Sequence, residues 1–230
     1  MAKKSKTTDT KVEANVGEIF SKSEKFIETY SNHIIIAIAA IILIVIAILG
    51  IRQYYILPKE REAEVAIFPG ENYVANQQWD LALNGDGKDY IGFLGIIDDY
   101  GITKTANLAK AYAGICYYHL GKPEEALEYL KKFSLKDKIL SPVIKGFMGD
   151  CYVESGKVEE GIKYFLKASS DANSEFVSPK YLKKAGRAYE SLSDYANAEK
   201  MYQTIKDKYS NSQEASDIDK YIERAKLQIK

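Results

Sequence analysis

The sequence predicts an all-α protein in which a single N-terminal transmembrane helix is followed by a helix-turn-helix solenoid and a C-terminal capping helix. Two observations support this prediction. The first is a run of 18 apolar or small residues without a charge near the N-terminus. The second is a pattern of small and aromatic residues that occurs three times, at intervals of 35 and 37 residues, which is typical of stacked helix pairs.

The uncharged run covers residues 34–51. At 1.5 Å per residue, a helix of this length spans roughly 27 Å, which matches the hydrocarbon core of a bilayer. Tyr30 before the run and Tyr54 and Tyr55 after it stand where an interfacial aromatic belt is expected. The run is longer than the apolar core of a signal peptide, and no small-x-small cleavage site follows it. We therefore expect an uncleaved transmembrane helix over residues 33–56.

The flanking sequence indicates how this helix is oriented and what it contacts. Lysines of the short N-terminal tail favour a cytoplasmic N-terminus, with the repeats on the other side of the membrane. Residues 1–10 are expected to be disordered, and residues 11–32 to form either an amphipathic helix on the membrane surface or an extension of the anchor. Small residues on one side of the anchor favour close packing against another membrane helix. They are Ala40, Ala47 and Gly50.

The repeated pattern predicts three helix pairs, over residues 106–140, 141–177 and 178–211. Each unit has a small residue where its helices cross, an aromatic residue one turn later, and a turn before its second helix. The five matching positions are occupied by Gly114, Tyr117, Gly121, Ala126 and Leu130, then by Gly149, Tyr152, Gly156, Gly161 and Phe165, and then by Gly186, Tyr189, Ser193, Ala198 and Tyr202. A degenerate helical repeat is expected over residues 57–105, and a capping helix over residues 212–230.

Local signals predict where the helices begin and end. Ser141 and Ser178, each followed by proline, are expected to be N-cap serines before a first-turn proline. The pair Pro69-Gly70 is expected to interrupt the degenerate repeat. The terminal helix has a single apolar stripe, formed by Ile218, Ile222, Ala225 and Ile229.

Composition and motifs argue against catalysis, a cofactor, a metal site, a small-molecule substrate and nucleic-acid binding. The 32 basic and 32 acidic residues are interspersed, so no basic stripe is available for a nucleic acid. Neither His33 nor His119 has a nucleophile at a catalytic spacing. Residues 84–87 resemble part of a calcium loop, but its first and last ligands are missing. Cys116 and Cys151 stand in equivalent places in adjacent units, roughly 8–10 Å apart, so we expect two reduced thiols.

A partner-binding groove is expected on the concave side of the solenoid, which the first helix of each unit lines. The candidate residues, chosen by repeat geometry, are Ile115, Tyr118 and His119 in the first unit, Asp150 and Glu154 in the second, and Lys183, Arg187 and Glu190 in the third. Charges of both signs beside an aromatic ring suit an extended peptide or a loop of a folded partner. A solvated helix face without a partner is the alternative.

These residues and spacings resemble the tetratricopeptide repeat (TPR) family. The family pattern is met in the first unit and mostly in the other two. Gly161 stands where alanine is usual and Ser193 where glycine is usual, so the resemblance implies lower stability for the second and third units. TPR domains that clamp an acidic C-terminus use a lysine and an asparagine on the first such helix. Ala111 and Ile115 stand at the matching places here, which argues against a clamp of that kind.

The arrangement of tail, anchor and repeats is similar to the ancillary TPR subunits associated with the bacterial Sec translocon. Residues 81–87, 92–94 and 97–101 resemble the version found in Bacteroidetes-type bacteria. This resemblance implies a single-pass inner-membrane protein with a periplasmic TPR domain, which contacts the translocon and exported or unfolded polypeptides. Two other non-enzymatic roles remain open: a structural adaptor in another envelope complex, such as a division or secretion complex, and an N-anchored import receptor with cytosolic repeats.

Overall fold

The computed structural model describes residues 30–33, 35–134 and 139–229, and over these residues the chain forms helices and no strands. It divides into two compact units, Met1–Pro58 and Lys59–Lys230. The predicted disordered tail and almost all of the predicted amphipathic segment lie outside the described residues.

The first unit contains an apolar helix, α1, over residues 35–51, followed by a π-helical turn at Arg52–Ile56. In the described part of the chain one helix, Tyr30–Ala75, is long and apolar enough to cross a membrane, with an 18-residue window of mean hydropathy 3.5 that is not buried. Gly50, one of the small residues predicted to pack against a membrane partner, has no neighbour within 4 Å of where a Cβ would lie. Packing on this face therefore stays a prediction.

The second unit is a succession of short helices. In chain order they are α2 (Leu57–Ala75, which begins at the unit boundary), α3 (Trp79–Asn84), α4 (Gly92–Asp99), α5 (Lys104–His119), α6 (Pro123–Lys132), α7 (Leu140–Glu154), α8 (Val158–Ala172), α9 (Ser178–Ser191), α10 (Tyr195–Lys208), a 3₁₀ turn (Gln213–Asp217) and α11 (Ile218–Gln228). Helices α5 and α6, α7 and α8, and α9 and α10 form three successive pairs. We call α5, α7 and α9 the A helices and their partners the B helices. The predicted all-α solenoid is thereby confirmed.

A glycine on each A helix allows its B helix to approach closely. The side chain that occupies the space lies 16 residues later in every unit. The pairs are Gly114 with Leu130, Gly149 with Phe165, and Gly186 with Tyr202. A Cβ at any of these glycines would lie 2.4 to 2.6 Å from the facing side chain. The tyrosines one turn later also lie between the helices, since Tyr117 stacks on Tyr129 and Tyr152 on Tyr164, with centroids 5.3 and 5.1 Å apart.

The turn inside each pair requires a left-handed residue. Gly121 and Gly156 have φ angles of 72° and 76°, as their positions in the repeat predict. Ser193 adopts φ of 59° at the equivalent place in the third unit. Because a side chain is disfavoured in this region, the third turn is strained relative to the other two.

Helix α2 continues through Pro69 and Gly70, so the predicted break at this pair is wrong. The missing N–H of Pro69 would have bonded the carbonyl of Val65, a residue on the exposed side of the helix where water can replace it. A Cβ on Gly70 would lie 2.0 Å from the Tyr90 hydroxyl, so glycine is needed for the packing of that ring. Tyr90 in turn donates a hydrogen bond of 2.8 Å to the Ala82 carbonyl.

The loop at residues 84–87 is organised around the carboxylate of Asp86. Asp86 accepts hydrogen bonds from the backbone N–H groups of Lys88 and Tyr90, at 2.9 and 3.1 Å, and from the Tyr73 hydroxyl at 2.9 Å. These bonds lower the pKa of the Asp86 carboxyl. The carboxylate closes the loop onto α2.

Two predictions about helix ends are wrong. Ser141 and Ser178 lie inside their helices, because α7 begins at Leu140 and α9 begins at Ser178 itself. The Ser178 hydroxyl instead joins α8 to α9: it donates to the Ser169 carbonyl at 2.7 Å and accepts from the Ser174 N–H at 3.0 Å.

The terminal helix α11 covers the last pair, as predicted. Ile218, Ile222 and Ala225 are buried in one cluster with Tyr202 of α10. Ile229 does not belong to this stripe, because the helix has ended before it and its side chain is 42 % exposed.

Candidate protein-interaction surface

Successive A helices contact one another through side chains and form a continuous surface, which we call the A-helix face. Tyr118 of α5 meets Phe147 of α7, with ring centroids 5.7 Å apart. Lys184 of α9 reaches back to Asp150 of α7. Helix α11 extends the same surface beyond the third pair.

The N-terminal end of this face carries an aromatic cluster of four rings, Trp79, Tyr118, His119 and Phe147. Trp79 of α3 stacks on His119 at a centroid distance of 4.0 Å, and His119 meets Phe147 edge-on at 6.3 Å. Burial lowers the pKa of the His119 imidazole, although nearby Glu154 opposes this shift. Burial therefore favours the neutral form of the ring, which adds to an apolar platform.

The C-terminal end of the face is held together by ion pairs between residues 34 positions apart in the chain. The three pairs are Lys184 with Asp150 (2.5 Å), Lys183 with Asp217 (2.5 Å) and Arg224 with Glu190 (2.6 Å). Burial raises the pKa of Asp150 and the Lys184 ammonium opposes that rise. Each pair joins one A helix to the next element of the stack and fixes the geometry of the face.

Charged side chains that remain accessible lie between these pairs. Arg187 is exposed and forms no ion pair with any residue that the structure describes. It borders a groove of about 290 Å³ between α7 and α9, whose walls include Asp150, Lys184 and the Phe165 ring. Glu154 is exposed on α7, beside the Tyr118 hydroxyl.

The predicted binding residues thus fall into different environments. Tyr118 and His119 belong to the aromatic cluster, and Arg187 and Glu154 are exposed. Ile115 packs against the buried cluster formed around Ala126 and Ile144, and it is partly buried. The other three, Asp150, Lys183 and Glu190, are engaged in the ion pairs described above.

Sequence reasoning missed several residues of this face. They are Trp79, Phe147, Lys184, Asp217 and Arg224. A signal for the charged ones was present, because opposite charges stand 34 positions apart at three places in the chain. No such signal marked Trp79, which lies in the degenerate repeat.

Both cysteines are free, as predicted, and the structure also shows that both are buried. Burial raises the pKa of the Cys116 and Cys151 thiols to about 12. Neither thiol is a nucleophile at physiological pH, and each contributes to packing within its own core cluster.

The fold and this surface define a helical-repeat interaction scaffold. Comparison with known proteins agrees: the family model described as tetratricopeptide repeat matches residues 112–136 and 184–212. These segments cover parts of the first and third helix pairs. The matches describe repeat proteins and indicate no catalytic family.

Solved structures with the same fold include nearly identical TPR-like repeats from a Podosopora anserina protein described as a kinesin light chain. That structure has a TM-score of 0.56 and 14% identity, over 74% of this chain and 87% of the other. The crystal structure of MamA protein has a TM-score of 0.52 and 17% identity, over 72% and 87% of the two chains. No curated protein matches the chain. At these identities the likeness establishes a TPR-like fold.

Proposed function

We propose that this protein is a membrane-anchored TPR interaction subunit that accompanies the Sec translocon and contacts exported polypeptides on the periplasmic side. The observation that carries the proposal is the pairing of an unburied apolar helix of transmembrane length with a repeat unit that presents an aromatic and charged A-helix face. The similarity of this arrangement to ancillary TPR subunits of the translocon supplies the particular assignment.

The A-helix face suits a chain that is not yet folded. Such a chain exposes apolar side chains, which the rings of Trp79, His119 and Phe147 can cover, and charged ones, which Arg187 and Glu154 can pair. The ion pairs between neighbouring helices hold these groups in place before binding, which reduces the entropy lost on association. Because the A-helix face offers few accessible groups and carries charges of both signs, we expect it to bind such a chain weakly and to release it readily.

Three measurements test the role, and the first is detergent co-purification. Full-length tagged protein is purified in mild detergent and its partners are identified by mass spectrometry. Recovery of the translocon channel supports the proposal. Recovery of a different envelope complex without the channel contradicts it and favours the structural-adaptor role.

Client contact is tested by crosslinking to an export-arrested polypeptide. We expect the double variant His119→Glu and Arg187→Glu to lose most of the crosslink, because it adds negative charge to the aromatic cluster and reverses the free cation. The matched control, Lys122→Glu and Lys157→Glu, makes equally drastic changes in exposed turns away from this face. Equal crosslinking of both variants would exclude the face as the client site.

Orientation is tested with protease added to intact spheroplasts. Periplasmic repeats are digested without lysis. Digestion only after lysis would place the repeats in the cytosol and favour the import-receptor topology.

A further inference from the structure

A row of exposed apolar side chains marks one edge of the repeat unit. Ile102, Ile139 and Phe176 stand 37 residues apart in succession. Each lies in the loop that leads into an A helix, one or two residues before the helix begins. Their exposed fractions are 56, 75 and 90 %. The repetition of this feature in three successive loops sets it apart from scattered surface residues, which are common in soluble proteins.

Hydrogen bonds and ion pairs between described residues show that the starts of the A helices lie side by side. Asn107 near the start of α5 exchanges hydrogen bonds of 3.0 and 3.1 Å with Ser134 in the loop before α7. Lys145 of α7 pairs with Asp171 near the end of α8, and Ser178 joins α8 to α9. The starts of the three A helices therefore form one edge, with neighbours separated by a helix-packing distance of about 8–10 Å.

The chain enters the repeat unit at this same edge. Lys59, the first residue of the unit, donates a hydrogen bond of 3.1 Å to the Asp99 carbonyl, three residues before Ile102. The Glu60 carboxylate accepts from the Lys104 and Thr105 N–H groups, at 2.7 and 3.0 Å. These bonds cap the start of α5, so the first residues of the repeat unit, which follow the apolar segment in the chain, are held beside Ile102.

We propose that this edge, with Ile102, Ile139 and Phe176 at its tips, inserts into a lipid surface, namely the membrane in which the apolar helix is anchored. Only three residues separate Ile56, the end of the π-helical turn, from Glu60. So short a tether gives the edge a high effective concentration at the bilayer, and shallow insertion of three side chains then suffices. Three separate exposed side chains suit lipid better than a flat protein interface, which buries a contiguous patch.

The inference rests on the anchoring that the proposed function includes, but not on the translocon. It is tested with the full chain reconstituted into vesicles of phosphatidylcholine and phosphatidylglycerol that contain nitroxide-labelled lipid. A fluorophore is attached to Phe176→Cys, to Ile102→Cys and to the control Lys157→Cys, which lies in an exposed turn at the opposite end of the helices. The native thiols are buried and do not compete for the label.

We expect labels at positions 176 and 102 to shift their emission to the blue and to be quenched several-fold more strongly than the label at position 157. Because Phe176 and Ile102 are exposed, their replacement leaves the core intact, and unchanged helicity by circular dichroism verifies this. Equal quenching at all three positions would overturn the inference.

Two further outcomes are informative. Protein that fails to float with the vesicles overturns both the anchoring and this inference. Protein that floats with the vesicles but shows no selective quenching at positions 176 and 102 overturns the lipid contact alone and leaves the anchoring in place.

Discussion

The second and third helix pairs adopt the same arrangement with different packing. In the second, glycines face each other across the pair: a Cβ on Gly161 would lie 2.9 Å from the Gly149 carbonyl oxygen and 2.5 Å from the Val153 side chain. In the third, Ala198 replaces this glycine, and the large Tyr202 ring lies over Gly186. The comparison shows that one fold accommodates either close backbone contact or a bulky ring.

The second and third helix pairs differ in the features that are expected to lower their stability. Gly161 fits the close approach of α7 and α8, and the lower stability expected for the second unit stays a prediction. The third pair has two unfavourable features instead. Ser193 occupies a left-handed turn, and the buried Tyr202 hydroxyl has no hydrogen-bond partner among the described residues.

The largest effect is expected for Gly161→Ala in the second pair. Alanine would gain about 1 kcal/mol of helix propensity over glycine, but its Cβ meets a backbone carbonyl that cannot rotate away. We expect a net loss of about 1–3 kcal/mol in the free energy of unfolding. Thermal and urea denaturation measure this, with Ser170→Ala on the exposed side of α8 as the control. A stability equal to that of the parent would show that the backbones can separate at little cost.

A smaller effect of opposite sign is expected for Tyr202→Phe in the third pair. Burial and the nearby Glu190 carboxylate raise the pKa of the Tyr202 phenol. The change to Phe removes a buried hydroxyl that forms no hydrogen bond of normal geometry with the described residues. The expected gain is about 1 kcal/mol in the free energy of unfolding. The reverse change at the equivalent position, Phe165→Tyr, should destabilise the protein. A loss of stability in Tyr202→Phe would mean that the hydroxyl bonds Glu190 or Arg224 in solution.

The smallest effect is expected at the turns. Ser193→Gly relieves the left-handed strain and should stabilise the protein by about 0.5–1 kcal/mol, which corresponds to a rise of about 2–4 °C in Tm at most. Gly156→Ser introduces the same strain into the second pair and should lower Tm by a similar amount. If the two changes shift Tm in the same direction, strain at the left-handed turn residue does not account for a stability difference between the two pairs.

The fold was predictable from the sequence because it depends on periodic local signals. The two helices of each pair cross so closely that Gly114, Gly149 and Gly186 leave no room for a side chain. Because these glycines recur at nearly regular intervals, the repeat is visible in the sequence. Helix α2 was mispredicted at Pro69 because tertiary packing, here of Tyr90 onto Gly70, outweighs the local preference for a break. The periodic pattern of the sequence does not reveal a packing contact between residues that are far apart in the chain.

The interaction surface was less predictable than the fold. The repeat register identified which helices line the A-helix face, but not which side chains on it are already paired. Lys183 and Glu190 are engaged by residues near the C-terminus, and this pairing depends on how α11 packs. Trp79 enters the face from a degenerate repeat that has no counterpart to align with.

The reactivity of the two buried cysteines can be used to measure how often the helices around them open. Cys116 lies in the core cluster of the first helix pair and the degenerate repeat, whereas Cys151 lies in the cluster between the first and second pairs. Since a thiol reacts with an alkylating agent only when its surroundings open, the two reaction rates report separate opening equilibria at adjacent points of the stack. The two rates therefore measure how firmly adjacent helix pairs of the stack stay closed.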